Sequence, residues 1–232
     1  MTDARPQERW PNGYIRLFIS HSDNHREAAS RLCTALSQYG VASFVAHADI
    51  APASNWRAAL LDALQSMEAM LAFVADDFED SAWVNQEVGY AAAREIPIIP
   101  LKLGTRAPVG FIETAQGLPG SLEHIEASAE PICRLLTGRL DRTGRLREAL
   151  IAAFLNAGSY IDAMETFKRL DPIVEQLSPE ETAKIIHGFE VNENLNGAGY
   201  LTNTPDRFLR FLQAKTGERY RYQAGRVAPV GR

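Results

Sequence analysis

The run Ala-Met-Leu-Ala-Phe-Val-Ala (residues 69–75) and, just after it, Asp-Ser-Ala-Trp-Val-Asn-Gln-Glu-Val-Gly-Tyr-Ala-Ala-Ala-Arg-Glu (80–95) set the pattern for the first part of the chain. A short, unbroken apolar run bounded by polar residues reads as a buried strand. Ser81 can accept a hydrogen bond from a free backbone N–H and cap a helix that begins at Ala82. On that helix Trp83 and Glu87 are four residues apart and share a face. A flat ring beside a carboxylate near a helix start is a place where a nucleotide can be held. The competing reading makes Trp83 a core residue and Glu87 a solvated charge.

The same strand-and-helix grammar extends in both directions. Residues 14–20 (Tyr-Ile-Arg-Leu-Phe-Ile-Ser) read as a strand, left through the turn His21-Ser22-Asp23. Asn24 followed by Glu27 resembles a capping box, opening a helix that runs to Tyr39 and ends at Gly40. A second strand over 41–46 leads into the loop 47–53, which carries Asp49. Ser54 can cap the next helix, where Trp56, Leu60, Leu64 and Met67 recur at helical spacing. After the central strand and helix comes a strand over 97–103. This alternation predicts an α/β fold: a flavodoxin-like parallel sheet flanked by helices. Right-handed crossovers place every strand-to-helix loop at one edge, where open parallel sheets bind ligands. Spacing alone therefore predicts a crevice containing Ser20, His21, Ser22, Asp49, Trp83 and Glu87.

Beyond Gly104 the pattern loosens into loops over 108–112 and 116–120. A last helix over 125–136 closes the sheet, with Pro131 as a kink or a late start. The grammar then turns helical, with helices over 145–157 and 160–170. Ser178-Pro179-Glu180-Glu181 is a capping box opening a third helix to about His187, and Thr204-Pro205 opens a fourth up to Gly217. The Asn- and Gly-rich segment 192–203 reads as a loop. The expected division is a flexible lead-in (1–13), a sheet domain (14–138), a linker (139–144), a mostly α-helical C-terminal region (145–218) and a mobile tail (219–232).

Composition narrows the function classes. The 232 residues are 46% hydrophobic and 23% charged, with a formal net charge of -5, which argues against a broad nucleic-acid face. Cys33 and Cys133 lie far apart with no ligand-like spacing, and His47, His124 and His187 show none either, so no metal is expected. The opening residues hold no apolar signal core and no run approaches membrane-spanning length; the expectation is a soluble cytoplasmic protein without a membrane partner. No Gly-rich phosphate loop is present, which disfavours an ordinary dinucleotide-dependent dehydrogenase. A phosphoacceptor receiver domain shares the alternating architecture and would use Asp76. The first strand, however, ends in Ser-His-Ser rather than an acidic pair.

Several blocks in order carry a family likeness: Leu17-Phe18-Ile19-Ser20-His21-Ser22; Phe44-Val45-Ala46-His47-Ala48-Asp49-Ile50 with Asn55-Trp56-Arg57; Phe78-Glu79-Asp80-Ser81-Ala82-Trp83 with Gln86-Glu87-Val88-Gly89; and Pro108-Val109-Gly110-Phe111-Ile112 with Gln116. Through them residues 1–138 resemble a Toll/interleukin-1 receptor (TIR) domain of the bacterial, NAD-cleaving kind. The resemblance implies hydrolysis of NAD+ at the nicotinamide–ribose bond, giving ADP-ribose or a cyclic isomer, in antiphage defence or signalling. NAD+ is then substrate, and no cofactor is required. It places the catalytic glutamate at Glu87, with substrate contacts from Trp83, Ser20, His21, Ser22 and Asp49. It also implies homotypic self-association and an effector that binds the nucleotide product. The alternative it carries is a non-catalytic adaptor acting by TIR–TIR assembly. Residues 145–232 match nothing named, and control of assembly or sensing of a trigger is the role expected of them.

Overall fold

A computed structural model describes residues 10–45, 56–113, 115–139, 141, 144–203, 206–223 and 225–230. The chain divides into two compact units, residues 1–146 and 147–232. The first holds five strands, β1 (Ile15–Ser20), β2 (Val41–Val45), β3 (Ala69–Val74), β4 (Ile98–Lys102) and β5 (Leu118–Pro119). They form one sheet in the order β2-β1-β3-β4-β5, every adjacent pair parallel. The helices α1 (Arg26–Ser37), α2 (Trp56–Ser66) and α3 (Ala82–Ala93) lie between strands in the chain, and α4 (Ala129–Arg139) follows β5. This is the expected flavodoxin-like arrangement.

The sheet is buried from both sides, and its central strand shows why its sequence is continuously apolar. All six residues of β3 are buried. Met70, Ala72 and Val74 join Phe18, Phe44, Leu60, Leu64, Val84 and Val88 in one cluster beneath α2 and α3. Leu71 and Phe73 point the other way and are also fully buried. At the far end of the sheet Glu68 accepts from Arg145 Nη2 at 2.6 Å and from Arg16 Nε at 3.2 Å, fixing the residue that opens the next helix.

Several elements differ from the sequence expectation. Ser22 caps no helix with its side chain, and residues 23–25 form a 3-10 turn before α1, so the Asn24–Glu27 capping box does not form. Asn24 is instead drawn to Asp77. Leu118–Pro119, expected within a loop, adds an edge strand. Of the two readings of Pro131 the late start holds and the kink does not: a 3-10 turn over Ile125–Ser128 precedes α4, and the proline lies in the first turn of that helix, where its missing N–H is not needed.

The second unit is helical. It contains α5 (Arg145–Leu155, whose first two residues belong to the first unit), α6 (Tyr160–Ile173), α7 (Pro179–Val191), α8 (Glu193–Asn196), α9 (Gly199–Thr202) and α10 (Arg207–Thr216). The capping box at Ser178 forms as expected, and α7 runs on to Val191, past His187. Segment 192–203, expected as a loop, winds into two single-turn helices, with Asn192 capping the first. Helix α10 is capped by Asp206, while Thr204 and Pro205 lie outside the described residues. An aromatic core holds the unit together: Phe189 stacks on Phe208 at 3.8 Å, and Phe167 meets Phe154 at 5.7 Å and Phe211 at 5.4 Å. The final residues, expected as a mobile tail, pair as an antiparallel hairpin of β6 (Tyr220–Gln223) and β7 (Arg226–Pro229). Val227 N–H donates to Glu190 at 2.7 Å, and Tyr222 packs edge-on against Phe189, so α7 supplies the support that the tail's own composition lacks.

Candidate active site

The strand order reverses direction between β1 and β3, and at such a switch point the loops diverge and leave a crevice at the carboxyl ends of the strands. Ser20 is the last residue of β1 and pairs with Ala72 of β3. From the helix that follows β3, Glu87 reaches the same point. Ser20 Oγ donates to Glu87 Oε2 at 2.6 Å, joining residues 67 apart in sequence.

Glu87 is 5% exposed. The cause is its place on α3, where Val84, Glu87, Val88 and Ala91 are the buried residues. They follow the i, i+3, i+4, i+7 stripe by which a helix packs on a sheet, so a carboxylate occupies a core position. Burial disfavours the ionised form and pushes the Glu87 carboxyl up to about 7, against the opposing hydrogen bond from Ser20. Ser81 caps the helix as expected, accepting from Val84 N–H at 3.4 Å. Trp83 precedes the stripe by one residue, which rotates it outward, and it is 44% exposed. The competing reading, a core tryptophan and a solvated glutamate, is thus reversed at both positions.

The remaining predicted residues divide by partner. His21 is buried, its Nδ1 3.2 Å from the Ile19 carbonyl oxygen and its ring edge-on to Phe73. Ser22 Oγ donates to Asp77 Oδ2 at 2.8 Å, and Asn24 and His25 reach the same carboxylate at 2.9 and 3.0 Å. Asp77 therefore latches the loop after β1 to the loop after β3. Burial works to raise its pKa, but hydrogen bonds from Asn24, Ser22 and His25 outweigh it and hold the carboxyl low. Asp49 and the loop around it lie outside the described residues, as does the side chain of Trp56.

Two aspartates after β3 shape the rim: Asp77, not singled out in the sequence, and Asp76, weighed there only as a receiver-type phosphoacceptor. Besides Asp77, Asp76 Oδ1 accepts from Thr105 N–H at 3.0 Å and Thr105 Oγ1 at 3.1 Å, tying the exit of β4 to the exit of β3. The signal was the Asp-Asp pair directly after a buried strand, where side-chain acceptors organise turns. Among the described residues no three His, Cys, Asp or Glu side chains gather to hold a metal. No helix among them is long and apolar enough to cross a membrane.

A buried carboxylate close to neutral pKa, a hydroxyl donor beside it and an exposed indole one turn away can orient a sugar and stabilise developing positive charge. Comparison with known proteins agrees with the fold. A family model described as "TIR domain" matches residues 17–133. Among solved structures, the chain is similar to the TIR domain of the Toll-related receptor TRR-2 from the lower metazoan Hydra magnipapillata. That match has 17% identity and a TM-score of 0.41, covering 51% of this chain and 90% of that one. No curated protein matches the chain.

Proposed function

The chain belongs to the TIR-domain family, and from that premise we propose that it cleaves NAD+ between nicotinamide and ribose, with Glu87 as the catalytic residue. The observation that carries this reading is the buried Glu87 carboxylate, hydrogen-bonded to Ser20 at the switch point of the sheet. In the reaction the C–N bond breaks and nicotinamide leaves with the bonding pair. The ribose carbon passes through an oxocarbenium-like state, and water, or a nucleophile within the ADP-ribose itself, then adds to it. Nicotinamide leaves as a neutral molecule, so no strong general acid is needed and one carboxylate suffices. Ionised Glu87 stabilises the cationic sugar and orients its hydroxyls, while Ser20 fixes the carboxylate. Trp83, exposed on the same helix, offers a ring for stacking. His21, Ser22 and Asp49 are the further substrate contacts. The product, ADP-ribose or a cyclic isomer, would act on an effector in antiphage defence or signalling, with homotypic TIR assembly completing the active form.

The test is chromatographic detection of nicotinamide release by the purified chain over a series of protein concentrations, beside Glu87→Ala and Glu87→Gln. Release lost in both folded variants is expected; wild-type rates in both would remove Glu87 from its role. Because the ionised form does the work, kcat/KM should climb with pH through about 7. One observation favours the adaptor reading instead. Phe111 is 77% exposed and Val109 39%, an apolar loop suited to TIR–TIR contact. In that case no nicotinamide is released at any concentration, and Phe111→Ser abolishes self-association.

A further inference from the structure

The second unit carries a cleft whose charge is opposite to that of the chain as a whole. A cavity of about 450 Å³ is lined by Lys168 of α6, Tyr200 of α9, and Arg207, Arg210 and Phe211 of α10, with Asp171 its one acidic residue. Its size falls in the range of small-ligand sites, roughly 300–1,000 Å³. Arg207 and Arg210 are three residues apart on α10 and therefore project to the same side.

Among the described residues the two arginines are not neutralised by a carboxylate. The Arg207 guanidinium carbon stands 4.3 Å from the Tyr200 ring centroid, and its Nη1 donates to the Tyr200 carbonyl oxygen at 2.9 Å. A ring and a carbonyl orient the guanidinium but leave its charge available. Lys168 Nζ lies 5.6 Å from the same centroid. Its pair with Glu165, at 3.0 Å, is exposed and weak. Among the described residues no carboxylate pairs with Arg210. Asp171 is taken up by Lys215, whose Nζ is 3.2 Å from Oδ1. Positive charge beside an aromatic wall, with its acidic neighbour already engaged, is an arrangement that recognises a phosphate ester carrying a planar ring.

We propose that this cleft binds a phosphate-bearing small molecule of mononucleotide size. Its phosphate is taken by the forks of Arg207 and Arg210, and its ring lies beside the half-buried Tyr200. This site is separate from the crevice of the first unit and does not depend on the activity proposed there.

The experiment is isothermal titration of the full chain with AMP and with ADP, at low and physiological salt. ADP binding that weakens with salt is expected. Arg210→Gln should weaken it about tenfold or more, Arg210→Glu further, and Arg207→Gln comparably to Arg210→Gln. Arg221→Gln, an exposed arginine of β6 outside the cleft, should bind as the wild type does. Absence of binding by both nucleotides up to about 5 mM, a Kd range in which even a weak site registers, would overturn the proposal. So would ADP affinity unchanged in both Arg210 variants, which would put the nucleotide elsewhere on the chain.

Discussion

Replacing Glu87 with Gln should make this protein more stable, and increasingly so as the pH rises. The side chain ionises near 4.5 when unhindered and near 7 in the fold, because burial disfavours the charge. A raised folded pKa means the native state binds the proton more tightly than the unfolded chain. Glu87 thus favours folding below about pH 4.5, and that contribution is lost as the pH climbs through about 7. With about 1.4 kcal/mol per pH unit between the two values, ionised Glu87 costs the fold about 3 kcal/mol at pH 8. The cost is about 2 kcal/mol at pH 6 and under about 1 kcal/mol at pH 5. Glutamine keeps the shape and an oxygen for Ser20 but has no proton to lose. Its own mismatch, an amide N–H₂ where an oxygen stood, adds an offset that does not vary with pH. The measurement is urea unfolding of wild type and Glu87→Gln at pH 5, 6.5 and 8, followed by circular dichroism. The difference between the two proteins should shift in favour of glutamine by about 2 kcal/mol or more from pH 5 to pH 8. A difference flat across that range would mean that Glu87 ionises normally, and the electrostatic account of the site would fail with it.

Other perturbations test the surroundings of that carboxylate. Ser20→Ala removes the hydrogen bond that holds the Glu87 pKa down. The midpoint of the pH–stability curve should move upward, with about 1–3 kcal/mol lost at pH 8; a midpoint that stays or falls would contradict the assignment. Asp77→Ala releases Ser22, Asn24 and His25 together, and urea unfolding at pH 7 should show a loss of about 1–2 kcal/mol. Because the Asp77 pKa is lowered in the fold, its contribution is present above the ordinary 3.8 and lost as the pH falls below it, so the wild-type advantage should shrink in acid. Gly104→Ala would set a methyl 2.5 Å from Asp76 Oδ1 and 3.0 Å from the Asp76 backbone nitrogen. The clasp to Thr105 must then shift, lowering the thermal midpoint through a destabilisation of about 1–3 kcal/mol.

How far the sequence could be read depended on the distance over which each feature is fixed. Strand β3 was legible because a run of apolar residues without polar interruption has few uses other than a doubly covered strand. The Ser81 cap and the Ser178 capping box were legible because donor and acceptor lie within one helical turn. The Asn24 cap failed because an acceptor more than fifty residues away, Asp77, competed for the same side chain. The hairpin at the end of the chain was not read because its two strands are only four residues each, and their Tyr220, Tyr222 and Val227 face is completed by Glu190 and Phe189 from a distant helix.

Within the candidate site the division is sharper. Trp83 and Glu87 could be assigned to one helix near one edge of a parallel sheet, since helical period and crossover handedness are carried by the chain itself. Which way that helix rolls could not be assigned, and the face expected to hold both side chains is split in the fold, Glu87 buried and Trp83 exposed. The apolar stripe Val84-Glu87-Val88-Ala91, docked on a sheet built from distant strands, turned the carboxylate inward and left the indole at the surface. Sequence determined the order of elements and the edge at which the strand-to-helix loops gather. Only the tertiary structure decided that Glu87 meets Ser20 and loses its water. A hydrogen bond between residues 67 apart, and the pKa that goes with burial, exist only once strand register and helix packing have brought the two together.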